Sequence, residues 1–479
     1  MLSILQTPIK LNSISKTNNY SRHLIQLTEV TALFYELNSA ISSVIWGPPM
    51  LAVFLGTGLF LSAKTGFYQL TGISDWMKST VGSVIGKKNR KTDKSSVSQL
   101  GALFSSLAAC LGTGNIVGVA TALCAGGAGS VFWMCISAIL GMMTCCCENI
   151  LGLKYRIKNR LGSYVGGPMY YIEKGLGMKN LARIYAVFLI GASFGMGNMT
   201  QANSVAQGLS AFGINPFITG VFLSIAMLIA VSGGLKRITK ISQMLIPVLS
   251  GAFILACFYV IAVNRENLIP CMKNIVTEAF SVKAVSGFGM AKAARYGISR
   301  GVFSNEAGLG SCAIIHASAD CENAGEQGKW GILEVFIDTV FMCSITAAAI
   351  LTSGAMQDKS LDGVELCAAV FESVLGKTGG YFLNICICLF AFATLVAWSY
   401  YGKTGTEYLL GTSSGKYYNI VCSAAAFIGC IMKLDFVWSI SDIFNGLMAV
   451  PNIFAVLCLY KEATEELHKK DCTEKPRSL

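Results

Sequence analysis

The sequence predicts an all-α polytopic membrane protein with about eleven transmembrane helices, on three observations. Of 479 residues, 53% are hydrophobic and only 13% are charged, against about 25% charged in a soluble domain. The mean hydropathy is +0.57. The apolar residues are gathered into runs close to the roughly 20 residues that a helix needs to cross a bilayer core. Disorder is excluded, because it requires low hydrophobicity and high charge. The length also speaks against a small disulfide-stapled module.

Residues 1–45 are polar and mixed in charge, with Lys10, Lys16, Arg22, Glu29 and Glu36. They lack the apolar core of a secretory signal and read as an N-terminal tail. A first, extra span follows at 46–63, and then a basic loop at 64–99. Spans at 100–123, 130–152, 183–211, 216–235 and 242–263 make a first set of five within 100–263. A connection at 264–285 leads to a second set within 286–460, with spans at 286–315, 331–352, 380–401, 417–432 and 438–459. A basic tail closes the chain at 461–479. Fifty glycines and nine prolines suit close helix packing in lipid. The 18 cysteines, Cys145, Cys146 and Cys147 in a row among them, lie mostly in apolar runs without CxxC spacing. They read as small buried apolar residues ahead of metal or redox ligands.

Eleven spans put the two ends on opposite sides of the membrane. With the C-terminus cytoplasmic, the inside segments hold 25 of the 37 Lys and Arg residues and the outside segments hold nine. The positive-inside rule therefore predicts a plasma (inner) membrane protein with its N-terminus outside and its C-terminus inside. The +11 net charge is then a topology signal and implies no nucleic-acid partner. An anionic-lipid or nucleic-acid contact at Lys87–Lys94 is the lesser alternative.

Two spans are interrupted where lipid tolerates no broken backbone unless it is buried in protein or lines a cavity. The first reads Ala108-Ala109-Cys110-Leu111-Gly112-Thr113-Gly114-Asn115 and the other Ser299-Arg300-Gly301-Val302-Phe303-Ser304-Asn305-Glu306-Ala307-Gly308. The bland reading of the first is a small-residue packing face. For Glu306 it is a loop residue that meets water or pairs with Arg300. Both breaks open a five-span set, and the two sets enter the membrane from opposite sides. That is the layout of an inverted repeat with paired discontinuous helices, a pointer to a transporter site. A half-helix starting after Gly112-Thr113-Gly114 offers free N–H groups and a positive dipole end to a carboxylate. Half-helices ending near Leu111 and Phe303 offer carbonyls to Na+ or a substrate ammonium. Together they suit a zwitterion and a companion cation.

Several long segments resemble the alanine/glycine:cation symporter family: WGPPMLAVFLGTGLFL at 46–61, LGTGNIVGVATA at 111–122, GGAGSVFWM at 126–134, GGPMYYIEKGLG at 166–177, FGMGNMTQANSVA at 194–206, GISRGVFSNEAGLGS at 297–311 and WSYYG at 398–402. The resemblance implies a ten-helix amino-acid-transporter core of inverted repeats (five plus five) with two discontinuous helices, preceded by one extra helix. It implies that Thr113 and Gly114 hold the substrate carboxylate through backbone N–H groups, with Asn115 ordering substrate or ion beside them. It places Gln201, Phe303, Thr394 and Trp398 around the substrate; the last two are four apart on one helix face, and the indole shortens the pocket. The fold analogy gives the Na+ ligands as the carbonyls of Ala108 and Leu111 with the Thr394 hydroxyl. Arg300 and Glu306 are expected in structural or gating roles. Three departures stand out: Cys312-Ala313 in place of an Ala-Pro pair, the sulfur of Cys110, and the long N-terminal tail.

The expected function is secondary active symport of a small neutral amino acid, alanine or glycine, with Na+ as the co-transported ion and no cofactor. An H+-coupled or wider-specificity carrier is the alternative. No GxxxxGK[ST] nucleotide motif is present. A channel-like uniporter lacks an evident filter motif. A membrane-embedded enzyme is disfavoured because His23, His316 and His468 are scattered and Glu306 has no evident partner carboxylate.

Overall fold

The computed structural model describes residues 45–85, 96–281, 289–432 and 434–469. The N-terminal tail, the Lys87–Lys94 cluster and residues beyond 469 lie outside them. Each of the eleven predicted ranges contains helix. Helix α1 is Pro48–Lys64. The first broken span is α2, Gln99–Cys110, a single 3₁₀ turn at Thr113–Asn115, and α3, Val117–Gly126. Then come α4, Gly129–Lys154, and a short helix α5, Pro168–Leu176. Next are α6, Lys179–Phe194, a π-helical turn at Gly195–Met199 and α7, Thr200–Ser210, with α8, Pro216–Ser232, and α9, Gly234–Val263, after them. Helix α10, Leu268–Ala279, occupies the connection between the sets.

The second set repeats that order. Its broken span is α11, Met290–Asn305, with α12, Cys312–His316. Helix α13, Ala324–Val335, runs through a π-helical stretch at Phe336–Cys343 into α14, Ser344–Ser353. The short helix α15, Gly363–Leu375, follows, then α16, Lys377–Leu410, α17, Gly415–Ile431, and α18, Leu434–Cys458. Broken span, long helix, short amphipathic helix, long helix and two more helices thus occur twice. By length and hydropathy, six of the described helices suffice to cross a membrane, or seven if the bent pair α2–α3 counts as one. Helices α1 and α8 are apolar but only 17 residues long. At 1.5 Å per residue that falls a little short of a roughly 30 Å core.

Three segments differ from expectation. The loop expected at 64–99 begins with short helical pieces, among them Tyr68–Thr71 and Ile73–Met77, and Asp75 there pairs with Lys329 at 2.7 Å. The segment expected as a C-terminal tail from 461 starts inside a helix, α19, Tyr460–His468. Ala463 and Leu467 are buried, and Glu462 meets Lys154 of α4 at 2.7 Å.

The second break is displaced. The sequence predicts a half-helix that ends near Phe303, yet α11 stays helical through Asn305, and the backbone leaves the helix at Glu306. Gly301 serves packing: a Cβ there would stand 2.6 Å from Ser137 Oγ of α4. The reversal is made by Glu306 at φ 57° and by Gly308 and Gly310 at φ 93° and 77°. That left-handed region costs glycine little and a residue with a Cβ considerably more.

Helix α11 packs most extensively on α4. At Gly297 a Cβ would lie 2.2 Å from the Ser130 carbonyl oxygen, so only a bare backbone permits the approach. Gly297→Ala is expected to destabilise the fold by about 1–3 kcal/mol through overpacking, because the opposing atom is backbone and cannot swing away. A lower Tm in detergent checks it, and an unchanged Tm would contradict this contact.

Candidate substrate and cation site

The first break is where α2 runs out of helical partners. Leu111 N–H still donates to Leu107 O at 2.7 Å, but Gly112 N–H turns to Cys110 O at 2.8 Å and Ile116 N–H to Thr113 O at 3.4 Å. The chain bends by 61° between the two halves. Thr113, Asn115, Gln201, Phe303, Thr394, Trp398, Ala108 and Leu111 are all at most 3% exposed.

Thr394 of α16 reaches the broken end of α2. Its Oγ1 donates to the Ala108 carbonyl at 2.9 Å, and a Cβ on Gly112 would lie 2.6 Å from the same oxygen. Gln201 stands on the other side, with Oε1 accepting from Thr113 Oγ1 at 3.3 Å and Nε2 donating to Met196 O at 3.1 Å. The π turn just before Gln201 brings α6–α7 hard against α16: a Cβ on Gly197 would sit 2.4 Å from Trp398 Cβ. π turns commonly mark functional positions in helices.

Phe303, near the end of α11, covers the unwound segment, 3.7 Å from the place of a Gly114 Cβ. Its other side lines a cavity of about 180 Å³ shared with Trp46, Arg295, Tyr296, Arg300 and Asp442. The Arg300 guanidinium lies over the Phe303 ring, 5.6 Å from its centre. Trp398 is fully buried and donates from Nε1 to Glu306 Oε1 at 2.8 Å. The indole is therefore no membrane-interface anchor. Glu306 also accepts from Ser311 and is fully buried, which removes the water-exposed loop reading of that carboxylate.

Asn115 turns its amide toward Asp338 of the second set. Its Nδ2 donates to the Asp338 carboxylate at 2.8 Å and to the Asp338 carbonyl at 3.0 Å, and its buried Oδ1 has no hydrogen-bond partner among the described residues. Ser304 Oγ donates to Asp338 Oδ2 at 2.8 Å, and Thr339 Oγ1 does so at 2.6 Å. Asp338 lies in the π-helical stretch and is fully buried. It links both broken spans, and sequence reasoning missed it. The signal was available: Asp338 and Glu334 are ionisable residues inside a predicted span, the argument applied to Glu306. The Asp338 carboxylate thus gathers an amide and two hydroxyls from the two broken spans and its own helix.

The model of the "Sodium:alanine symporter family" matches residues 31–477. The chain belongs to this family. Sodium/alanine symporter AgcS of Methanococcus maripaludis is 39% identical over 434 residues, which is 89% of this chain and 95% of that protein. Probable sodium/glutamine symporter GlnT of Bacillus subtilis is 33% identical over 440 residues, 91% of this chain and 90% of that protein. Among solved structures, MhsT in complex with L-phenylalanine shares the fold at a TM-score of 0.58 and 14% identity, covering 80% of this chain and 94% of that one. Membership in the sodium:alanine symporter family makes the chain a multi-pass membrane transporter and not an enzyme. It is a cation-coupled amino-acid symporter.

Proposed function

We propose that the protein takes up a small neutral amino acid, alanine or glycine, together with Na+, by alternating access. The observation that carries this reading is the buried unwound segment Gly112–Asn115, with Thr394 and Gln201 beside it and Phe303 above. In this reading the N–H groups of Thr113 and Gly114 receive the substrate carboxylate, and Gln201 orients it. Phe303 and Trp398 bound the side chain. Carbonyls of Ala108 and Leu111 with the Thr394 hydroxyl hold one Na+. Asp338, with Asn115 Oδ1 and Ser304, offers a second cation position, so Asn115 acts on the ion and not on the substrate. Cation and amino acid stabilise the same closed state, which is what couples their movement. The N-terminus lies outside and the C-terminus inside the plasma (inner) membrane.

The name of GlnT supports a second reading, a family pocket that takes longer side chains, in which the residues around Trp398 set the limit. Uptake of labelled alanine into proteoliposomes tests the main proposal. An inward Na+ gradient should drive accumulation above the outside concentration, and excess glycine should compete. Equal uptake with and without any cation gradient would rule symport out. Loss of uptake in Gln201→Ala, with folding retained, is expected as well.

A further inference from the structure

Helices α2, α12 and α13 meet around a buried acid–base pair that the transport reading leaves unused. His316, the last residue of α12, and Glu334 of α13 are both fully buried, with His316 Nε2 2.9 Å from Glu334 Oε2. The other carboxylate oxygen accepts from Ser106 Oγ and, at 3.5 Å, from Cys110 Sγ, both on α2. Across the ring, Gln327 Nε2 lies 2.6 Å from His316 Nδ1. Gln327 Oε1 in turn accepts from Gln99 Nε2 at 3.3 Å, and Gln99, the first residue of α2, is only partly buried. An amide N–H facing Nδ1 leaves Nε2 as the proton-bearing nitrogen, donating to Glu334. A continuous line of contacts thus runs from a partly exposed glutamine, through the imidazole, to a carboxylate next to the first break.

We propose that the His316–Glu334 pair is a proton-binding site whose occupancy is linked to opening at the Gln99 end of α2. A proton arriving at Nδ1 from water leaves two donors facing each other. Gln327 must then turn its oxygen to the ring and give up its bond from Gln99. That removes one α2–α13 contact at the Gln99 end, while Ser106 and Cys110 still hold α2 to Glu334, and so biases that end of the closed transporter toward opening. An ionisable pair held inside a membrane span is costly and marks a working site, and a proton that prefers one conformation shifts the other ligands' affinities reciprocally. Around the pair, Lys329 of α13 is turned toward Asp75, and Arg156 holds the carbonyls of Ala317, Ala319 and Cys321. Glu148 accepts from Asn452 at 2.5 Å, and Cys145 Sγ lies 3.3 Å from Cys312 Sγ. Glu306 and Asp338 are held by the partners described above, and Tyr401 stacks edge-on against Trp398.

The inference rests on the transport reading, and its test separates the two. Na+-driven alanine uptake is measured with equal pH on both sides of the membrane, from about pH 5.5 to about pH 8.5. Wild-type uptake is expected to change about tenfold across that range, within the usual size of coupling between sites. His316→Gln should compress the change to about twofold or less. A flat wild-type profile, or a His316→Gln variant that keeps the wild-type profile, overturns the proton site while leaving symport standing. Absence of uptake at every pH strikes the transport reading instead. The proton site is then decided by Tm in detergent across the same pH series for wild type and Glu334→Gln. Differing pH slopes support the site and identical slopes overturn it.

Discussion

Asp338→Asn is expected to raise the Na+ concentration needed for half-maximal uptake by about 10- to 100-fold while the protein still folds. With its amide oxygen toward Ser304 and Thr339 the substitution keeps the shape and those two hydrogen bonds, removes the negative charge, and sets an NH2 group against the Asn115 amide in place of the carboxylate oxygen. A hydrogen bond or ligand contact to a charged group contributes about 1.5–3 kcal/mol, and each 1.4 kcal/mol is a factor of ten. Asp338→Ala should fare worse, because it leaves the Ser304 and Thr339 hydroxyls buried without this acceptor, at about 1–3 kcal/mol each, and leaves Asn115 only the backbone carbonyl. The measurement is the Na+ dependence of alanine uptake, together with Tm. An Asp338→Asn variant with wild-type Na+ dependence would remove the second cation position from the proposal.

Trp398→Ala is expected to lower alanine uptake strongly and to relax selection by side-chain length. The indole is wholly buried between the π turn at Gly197 and the Glu306 carboxylate, so truncation both opens a cavity and strands an acid. Large aromatic-to-alanine changes in cores cost about 3–5 kcal/mol. Trp398→Phe isolates the polar part, since it fills most of the volume but cannot donate to Glu306, and should cost about 1.5–3 kcal/mol. Competition assays with glycine, alanine, glutamine and leucine read the outcome. If longer amino acids compete no better against Trp398→Ala than against wild type, the indole does not bound the pocket.

Much of the architecture was legible because lipid imposes length and polarity on every span, and all eleven predicted ranges contain helix. The first break was legible too: Gly112-Thr113-Gly114-Asn115 interrupts an apolar run, and of the two readings open in the sequence, unwinding and a small-residue packing face, the structure shows the unwinding. The second was misplaced by a few residues. Gly301 and Gly308 look alike in sequence, but one admits α4 and the other bends the chain, and only the partner across the gap distinguishes them. Thr394 was anticipated at the α2 carbonyls, where its hydroxyl meets Ala108. The orientation of Asn115 toward Asp338 was not anticipated, because it depends on a helix more than 200 positions away; His316 and Glu334 are only 18 positions apart, but the turn that folds one onto the other has no periodic signal. Buried acids were underweighted in the sequence reading: only Glu306 was singled out, while Glu148, Glu334 and Asp338 are buried just as deeply.

The π-helical stretch Phe336–Cys343 can be viewed as a count as well as a shape. It carries more chain than an α-helix of the same rise needs, and Asp338 lies inside the surplus. Excising one residue there would let the ordinary ladder close with the flanking segments little rotated, because what is lost is the extra residue, while the side chains inside the stretch would be re-aimed. The carboxylate would then swing off both broken spans without any change in the chemical identity of a ligand. Point-substitution scanning is blind to such a dependence, whereas single-residue deletions would expose it.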